Sequence, residues 1–361
     1  MKGQPFANHR HRHDTEFDNA TAFAPTWERA LAVRQAGCCC AARGGSTAEW
    51  RTMSRAHPII AVTGSSGSGT TTVRQAFSDI FRRQGIRAAY VDGSGFQRYD
   101  RDTTAQVIAQ AQIAGLDLSH FGPDLNLFER LEALFAQYGR DGSGMVRHCV
   151  AEDSPTVAGK PGTLTPWEPI PPGTDLLFYE GLHGAVVART WTRRQISPSH
   201  NPLVIERRLR KHRGGGVDIA QHVDLLIGVA PVVNLEWIQK IHRDTNTRGW
   251  SAEAVTDTIL RRMRDYVHFI VPQFSVTDVN FQRVPVVDTS NPFVSHDVPD
   301  ESECIVVIRF RDPHRFDFPS LLRRMHSSFM SRPNTLVTPG RYFKPALELI
   351  STPLVYELCG R

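Results

Sequence analysis

The stretch Gly64-Ser65-Ser66-Gly67-Ser68-Gly69-Thr70-Thr71-Thr72 has the residue types and spacing that most directly suggest chemistry. The apolar run Ile60-Ala61-Val62 leads into it, and Val73-Arg74-Gln75-Ala76-Phe77 follows as a helix start. Glycines let a backbone turn tightly, so that successive N–H groups converge on one anion. The helix behind adds its positive N-terminal end. Gly64-x4-Gly69 has the spacing of a P-loop, so Gly64 through Thr72 are expected to cradle the phosphates of a nucleotide. Thr71 stands where a hydroxyl would hold Mg2+, and Thr70 stands where the general pattern has Lys. The competing reading is a Gly/Ser turn that binds nothing. The order strand, loop, helix argues against it.

Two further groups bear on the same chemistry. Leu176-Leu177-Phe178-Tyr179-Glu180-Gly181 reads as an apolar strand ending in an acid, and Glu180 at such a tip can hold Mg2+ or its water shell. Alone it would more simply cap a turn; beside a phosphate loop it becomes a metal-side candidate. Lys240, Arg243 and Asp244 are spaced i, i+3, i+4, which puts them on one helix face. A surface salt-bridge stripe is the bland alternative for that set.

The elements that must position these residues alternate. Strands are expected at Ile59–Val62, Ala88–Val91, Leu176–Tyr179, Leu225–Val229, Val284–Val287 and Ile305–Phe310. Helices are expected at Thr71–Gln84, Leu125–Tyr138, Leu235–Arg243, Ala252–Phe269 and Phe318–Ser328. That order predicts a layered α/β domain with a mostly parallel mixed sheet and helices on both faces. Residues 1–52 lack a sustained period and read as an extension. Residues 53–361 read as the folded domain, with Met53 as a plausible start. Residues 151–174, rich in Pro, Gly and Thr, are expected to be a loop, and 189–216 a basic insertion.

Composition narrows the class. The chain has 361 residues, 40% hydrophobic and 22% charged, which suits a globular protein and excludes a disordered or fibrous one. No apolar run approaches the ~18 residues of a membrane span. No apolar segment of a secretory leader stands near the N-terminus, and no CxxC pair is present, so a cytoplasmic location without a zinc site is expected. His9, His11 and His13 form only a weak metal-binding pattern. The net charge of +5 is local. Between Arg189 and Arg213 eight basic residues stand against one acid, Glu206. A solvated loop explains that better than nucleic-acid binding, so neither a nucleic-acid nor a membrane partner is expected.

Longer strings carry a resemblance. They are the loop from Thr63 to Thr72, Tyr179-Glu180-Gly181-Leu182-His183-Gly184-Ala185-Val186-Val187, and Pro231 through Asp244. Pro272-Gln273-Phe274-Ser275, Asn280 through Pro285, Asp288 through Phe293, and Met330-Ser331-Arg332 belong with them. Together they resemble the bacterial (class I) phosphoribulokinases, of the phosphoribulokinase/uridine kinase group of P-loop kinases. The resemblance covers residues 53 to about 355, outside the basic insertion. It implies a P-loop kinase-like fold and transfer of the γ-phosphoryl of ATP, with Mg2+, to the 1-hydroxyl of ribulose 5-phosphate. The product would be ribulose 1,5-bisphosphate for carbon fixation in the Calvin cycle. The absence of Lys at Thr70 is shared with these enzymes.

The resemblance also implies roles. Gly64 to Thr72 would hold the ATP phosphates, and Thr71 and Glu180 would serve the metal. Arg101, Arg243 and Arg248 would hold the sugar phosphate, with Lys240 and Asp244 in the same block. Such enzymes are homo-oligomers, octamers among the bacterial ones, activated by NADH and opposed by AMP. Arg83, Arg309 and Arg332 match the effector arginines.

One segment departs from the family. In Asp92-Gly93-Ser94-Gly95-Phe96-Gln97, Ser94 takes the position of the family's catalytic Asp and Gln97 that of its His. A hydroxyl ionises near the pKa of water, about 15.7, and is no base at neutral pH. Asp244 or Asp92 would then have to take the proton, and Asp244 is the favoured candidate. Two alternatives follow: a catalytically impaired paralogue with a regulatory role, and a uridine-kinase-like enzyme. The arginine set argues against the second.

Overall fold

Ten strands and seven α-helices make up the described part of the chain, which in this computed structural model is residues 56–64, 70–150, 159–186, 216–294 and 297–360. The expected extension 1–52, with its His cluster, lies outside the described residues. So do 65–69 of the phosphate loop, the side chains of Thr70 and Thr71, and nearly all of the expected insertion.

The strands are β1 (Ile59–Gly64), β2 (Ala88–Asp92), β3 (Met145–Val146), β4 (Glu168–Pro169), β5 (Leu176–Gly181), β6 (Leu225–Pro231), β7 (Val279–Pro285), β8 (Cys304–Phe310), β9 (Phe329–Arg332) and β10 (Thr335–Pro339). The helices are α1 (Thr70–Gln84), α2 (Arg101–Ile113), α3 (Phe128–Asp141), α4 (Val233–Arg248), α5 (Ala252–Asp265), α6 (Phe318–Arg324) and α7 (Phe343–Leu358). Eight strands form one sheet in the order β2-β5-β1-β6-β7-β8-β10-β9. The run from β2 to β7 is parallel, and β8, β10 and β9 extend it antiparallel.

Side chains alternate across a sheet, and both faces here are covered. Ile60, Val62, Phe178 and Ile227 pack with Val73, Phe77 and Ile80 of α1 and with Leu347 and Ile350 of α7. Ile59, Ala61, Leu177, Tyr179 and Leu226 pack with Phe128, Leu131 and Phe135 of α3. Covering on both faces explains why β1 and β6 read as unbroken apolar runs and are buried at every position. Phe178 touches Phe77, Phe81 and Tyr90; Phe178→Ala should cost about 3–5 kcal/mol.

Several boundaries differ from expectation. The strand expected at Val284–Val287 is β7, which begins five residues earlier; its polar Asn280 and Gln282 disguise it, and Val286 and Val287 stand exposed beyond it. The helix expected from Leu125 begins at Phe128, because Leu125 and Leu127 spend their backbone groups on Arg98 and Phe96. The helix expected to reach Phe269 ends at Asp265 and continues as a π turn, Tyr266–Ile270, then a 3-10 turn containing Pro272. The helix expected over Phe318–Ser328 stops at Arg324. The stretch expected as loop carries β4 in its described part. Sequence reasoning missed α2, whose only buried residue is Ala111, and α7, which runs through Pro353.

Candidate active site

Parallel strands β1, β2 and β5 end together, and their tips gather the first group. Asp92 of β2 is paired in register with Glu180 of β5, and Glu180 is also paired with Val62 of β1. The strand ends meet closely because two residues lack side chains. A Cβ on Gly93 or on Gly181 would fall 2.5 Å from the Tyr179 hydroxyl. Burial pushes the Glu180 carboxyl up to about 7, with the negative charge of Asp92 adding to the rise and the Arg74 guanidinium opposing it. A half-buried carboxylate at the tip of β5, in register with β1, is the hard oxygen donor that Mg2+ takes, so Glu180 fits that ion.

Behind this tip, Thr63 is buried and donates from Oγ1 to Gln273 Oε1 at 2.9 Å. Gly64, the first residue of the expected phosphate loop, ends β1, and Thr70 to Thr72 open α1.

The turn Gly93–Phe96 follows β2. Asp92 caps it, its Oδ1 accepting from the Ser94 N–H at 2.7 Å. Ser94 thus lies against Asp92, and Gln97 closes the turn, its N–H donating to Ser94 O at 3.3 Å. Burial pushes the Cys149 thiol up, and the charges of Asp92 and Arg101 both act on it. Arg101 is the first residue of α2. Its own N–H donates to Gly162 O at 3.0 Å, and the N-cap Asp100 accepts from Thr103 N at 2.7 Å.

The second group lies on α4. Asp244 is fully buried, and three cations converge on its two oxygens. Lys240 Nζ donates to Oδ2 at 2.5 Å, Arg243 Nε to Oδ1 at 3.1 Å, and Arg248 NH1 lies 3.2 Å from Oδ1. Burial alone would raise this carboxyl, but the Lys240 bond and the Lys240 and Arg243 charges outweigh it and hold it below the usual carboxylate range. Burial in turn lowers Lys240, against the pull of Asp244. Packing of Ile241 against Val255 and Ile259 of α5 fixes this face of the helix. Arg243 and Arg248 keep 40% and 46% of their side chains in solvent, so their outer edges can meet an anion. Burial lowers His120 well below the ordinary histidine range, and Arg262, Lys240 and Arg243 act on it too.

The expected residues thus fall into three places. Lys240, Arg243, Asp244 and Arg248 are bonded together. Glu180, Ser94 and the start of the phosphate loop share the strand tips with Asp92, while Arg101 opens α2. The effector candidates divide. Arg309 and Arg332 both stand opposite Thr335, on β8 and β9. Arg309 donates to Phe274 O at 2.7 Å. Arg83, on α1, binds Glu348 of α7 at 2.8 Å, on the sheet face that holds Ile308 and Phe310. Alternation puts Arg309 on the opposite face. Sequence reasoning missed Arg74 and His120. A basic residue one turn into the helix, where the loop itself lacks Lys, was the available signal for Arg74. Nothing in the local pattern marks His120.

Comparison with known proteins bears on this geometry. The phosphoribulokinase / uridine kinase family matches residues 59–290. The phosphoribulokinase of Sinorhizobium medicae is 51% identical over 311 residues, which are 86% of this chain and 98% of that protein. The chromosomal phosphoribulokinase of Cupriavidus necator is 50% identical over 312 residues, 86% of this chain and 98% of its own. The solved phosphoribulokinase from Rhodobacter spheroides superposes with a TM-score of 0.72 at 47% identity, covering 85% of this chain and 98% of that one.

Proposed function

The chain belongs to the phosphoribulokinase / uridine kinase family and is a phosphotransferase with an alcohol acceptor, and we propose that it converts ATP and D-ribulose 5-phosphate to ADP and D-ribulose 1,5-bisphosphate. The observation that carries this reading is the cation set on Asp244. A sugar phosphate brings a second anion to the site, and Lys240, Arg243 and Arg248 are gathered where one could be held. A nucleoside acceptor would need no such set.

Within that reading each residue has a task. The loop from Gly64 to Thr72 (Gly64, Ser65, Ser66, Gly67, Ser68, Gly69, Thr70, Thr71, Thr72) cradles the ATP phosphates. Thr71 and Glu180 would hold Mg2+, which when bound would supply positive charge toward the phosphoryl oxygens. Arg101, Arg243 and Arg248 hold the sugar's 5-phosphate. The 1-hydroxyl oxygen bonds to the γ-phosphorus as the bond to the β–γ bridging oxygen breaks. The hydroxyl proton has to leave, and Asp244 is poorly suited to take it: three cations occupy its oxygens and lower its basicity. We assign Asp244 the anchoring of those cations. We assign the proton to Asp92, next to the substituted Ser94 and held by that residue's N–H.

A coupled ADP-release assay tests the function, with ribulose 5-phosphate and uridine as rival acceptors. ADP release with the sugar phosphate alone supports it; release with uridine alone sinks it. One observation favours a second reading. Ser94 and Gln97 replace the two side chains that the family uses at the base position, as expected of a slow paralogue that acts by regulating an active kinase. We further propose a cytoplasmic homo-oligomer, octameric by resemblance, activated by NADH through Arg83, Arg309 and Arg332. The folded unit is residues 53–361, and 1–52 is dispensable to it.

A further inference from the structure

We infer that Arg147, backed by Trp167, is a positioning residue for phosphoryl transfer: it fixes the turn that carries Asp92 and Ser94. The inference rests on the placement of that turn at the acceptor site proposed above. Its guanidinium donates from Nε to Gly95 O at 2.7 Å and from NH2 to Gln97 O. One planar fork thus holds two carbonyls of a single short turn, which a lysine ammonium cannot do in one plane.

The main chain of Arg147 is equally close. A Cβ on Gly95 would lie 2.0 Å from Arg147 O, so the turn presses directly on this strand end. The small ribbon β3–β4 supports the clamp. Arg147 and Trp167 directly adjoin its Val146–Glu168 pair, and just beyond them His148 N donates to Thr165 Oγ1 at 2.9 Å. The Arg147 guanidinium lies 4.6 Å from the Trp167 ring centre. Phe96, inside the turn, meets the same ring edge-on at 5.5 Å. Turn, arginine and tryptophan therefore form one packed unit.

Such a clamp answers a specific need. Gly93-Ser94-Gly95 puts two glycines around Ser94, and glycine has more backbone freedom to lose than any other residue. Left to itself this segment would sample many conformations. Asp92 Oδ1 bonds the Ser94 N–H, so movement of the turn would re-aim the carboxylate. Arg147 removes that freedom through its bonds to Gly95 O and Gln97 O.

The test compares wild type with Arg147→Gln, Arg147→Lys and Trp167→Phe. It reads kcat and KM for ribulose 5-phosphate, ATP affinity, thermal unfolding, and amide hydrogen exchange over residues 93–98. Arg147→Gln should lower kcat about a hundredfold, the scale of an ångström-level misplacement. ATP affinity and the unfolding temperature should stay near wild type, and exchange should quicken within 93–98. Arg147→Lys should recover only part of kcat, and Trp167→Phe should lose less than Arg147→Gln. Arg147→Gln with wild-type kcat and wild-type exchange overturns the inference. A loss of kcat that tracks a lower unfolding temperature, with exchange quickened throughout, also overturns it. If Arg147→Gln does not fold, the Lys and Phe variants carry the same readings. If wild type shows no sugar-dependent ADP release, the proposed function falls, and exchange over 93–98 still decides the clamp.

Discussion

Asp92 and Glu180 stand opposite each other on neighbouring parallel strands, at the C-terminal ends of β2 and β5. Burial and the Asp92 charge push Glu180 up to about 7, and Asp92 is tied to the Ser94 N–H. Glu180→Gln should lower kcat by about 10²–10³-fold, the scale of losing one charge-stabilising group. Asp92→Asn should lower kcat by about 10²–10⁴-fold, the range for a general base. Steady-state ADP release reads both; Asp92→Asn at wild-type rate would remove Asp92 from the proton step.

Restoring the family pair is the complementary experiment. Ser94→Asp with Gln97→His should raise kcat, by up to about a hundredfold if proton removal limits the wild type. The Gly93–Phe96 turn already places residue 94 beside the strand tips, so no new backbone is required. No change in rate would mean that proton acceptance is already supplied from elsewhere.

Much of this arrangement could be read from the residues. The phosphate loop, the acid at the tip of β5 and the i, i+3, i+4 face on α4 are local patterns, and local patterns survive folding. The unbroken apolar runs of β1 and β6 likewise report a sheet covered on both faces. What sequence reasoning missed depends on contacts between distant segments. Arg147 and Gly95 are 52 positions apart by number, and only the β3–β4 ribbon brings them together. Asp244 is favoured as the base in the sequence because Ser94 stands at the family's position; the spacing puts Lys240 and Arg243 on its face but does not show the burial that draws them and Arg248 onto its oxygens. α7 was hidden by Pro353, and β7 by polar residues at alternate positions.

Asp244 invites a prediction about stability as well as rate. Removing one partner from a buried charge network leaves the others uncompensated, at a cost of about 3–5 kcal/mol. Asp244→Asn should therefore lower the urea midpoint clearly, because Lys240 loses its closest anion. KM for ribulose 5-phosphate should rise with it, since Arg243 and Arg248 lose their shared anchor. A variant with wild-type midpoint and unchanged KM would remove the anchoring role.

His183 sets an acid limit. Its ring is buried, with Nε2 3.1 Å from Phe121 O, and burial pushes it down to about 4 against the raising effect of that carbonyl. The unfolded chain takes up a proton near pH 6.5 and the folded chain does not until about 4. Between those values the unfolded state binds more protons, so stability falls as pH falls. The loss should approach about 3 kcal/mol by pH 4, at 1.36 kcal/mol per unit. Urea unfolding at pH 7.5 and at pH 5 measures it, with His183→Gln as control. The variant should show a flatter acid limb, and an equal slope in both proteins would exclude His183 as the cause.

The last prediction concerns regulation by NADH. Arg309 and Arg332 flank Thr335 on three adjacent strands, and Arg83 sits on a helix packed against the other face of the sheet. An effector held by all three would therefore need more than one copy of the chain, or a route around the sheet edge at β9. Guanidinium groups suit the task, since each can take a pair of pyrophosphate oxygens. The effector must also bind one assembly state better than another, or it shifts nothing. NADH should raise the sugar-dependent rate of the wild type, with a coupling of about 1–3 kcal/mol, or about 5–150-fold in affinity. Arg309→Ala and Arg332→Ala should each abolish the response while leaving the basal rate in place. Arg83→Ala should abolish it too, and should also lose the Glu348 ion pair. Its half-exposed position makes that pair worth little, about 0–1 kcal/mol, so the variant should remain folded. A wild type whose rate and assembly ignore NADH would end the proposal. A response lost in Arg309→Ala and Arg332→Ala but kept in Arg83→Ala would confine the site to the β8–β9 face of a single chain.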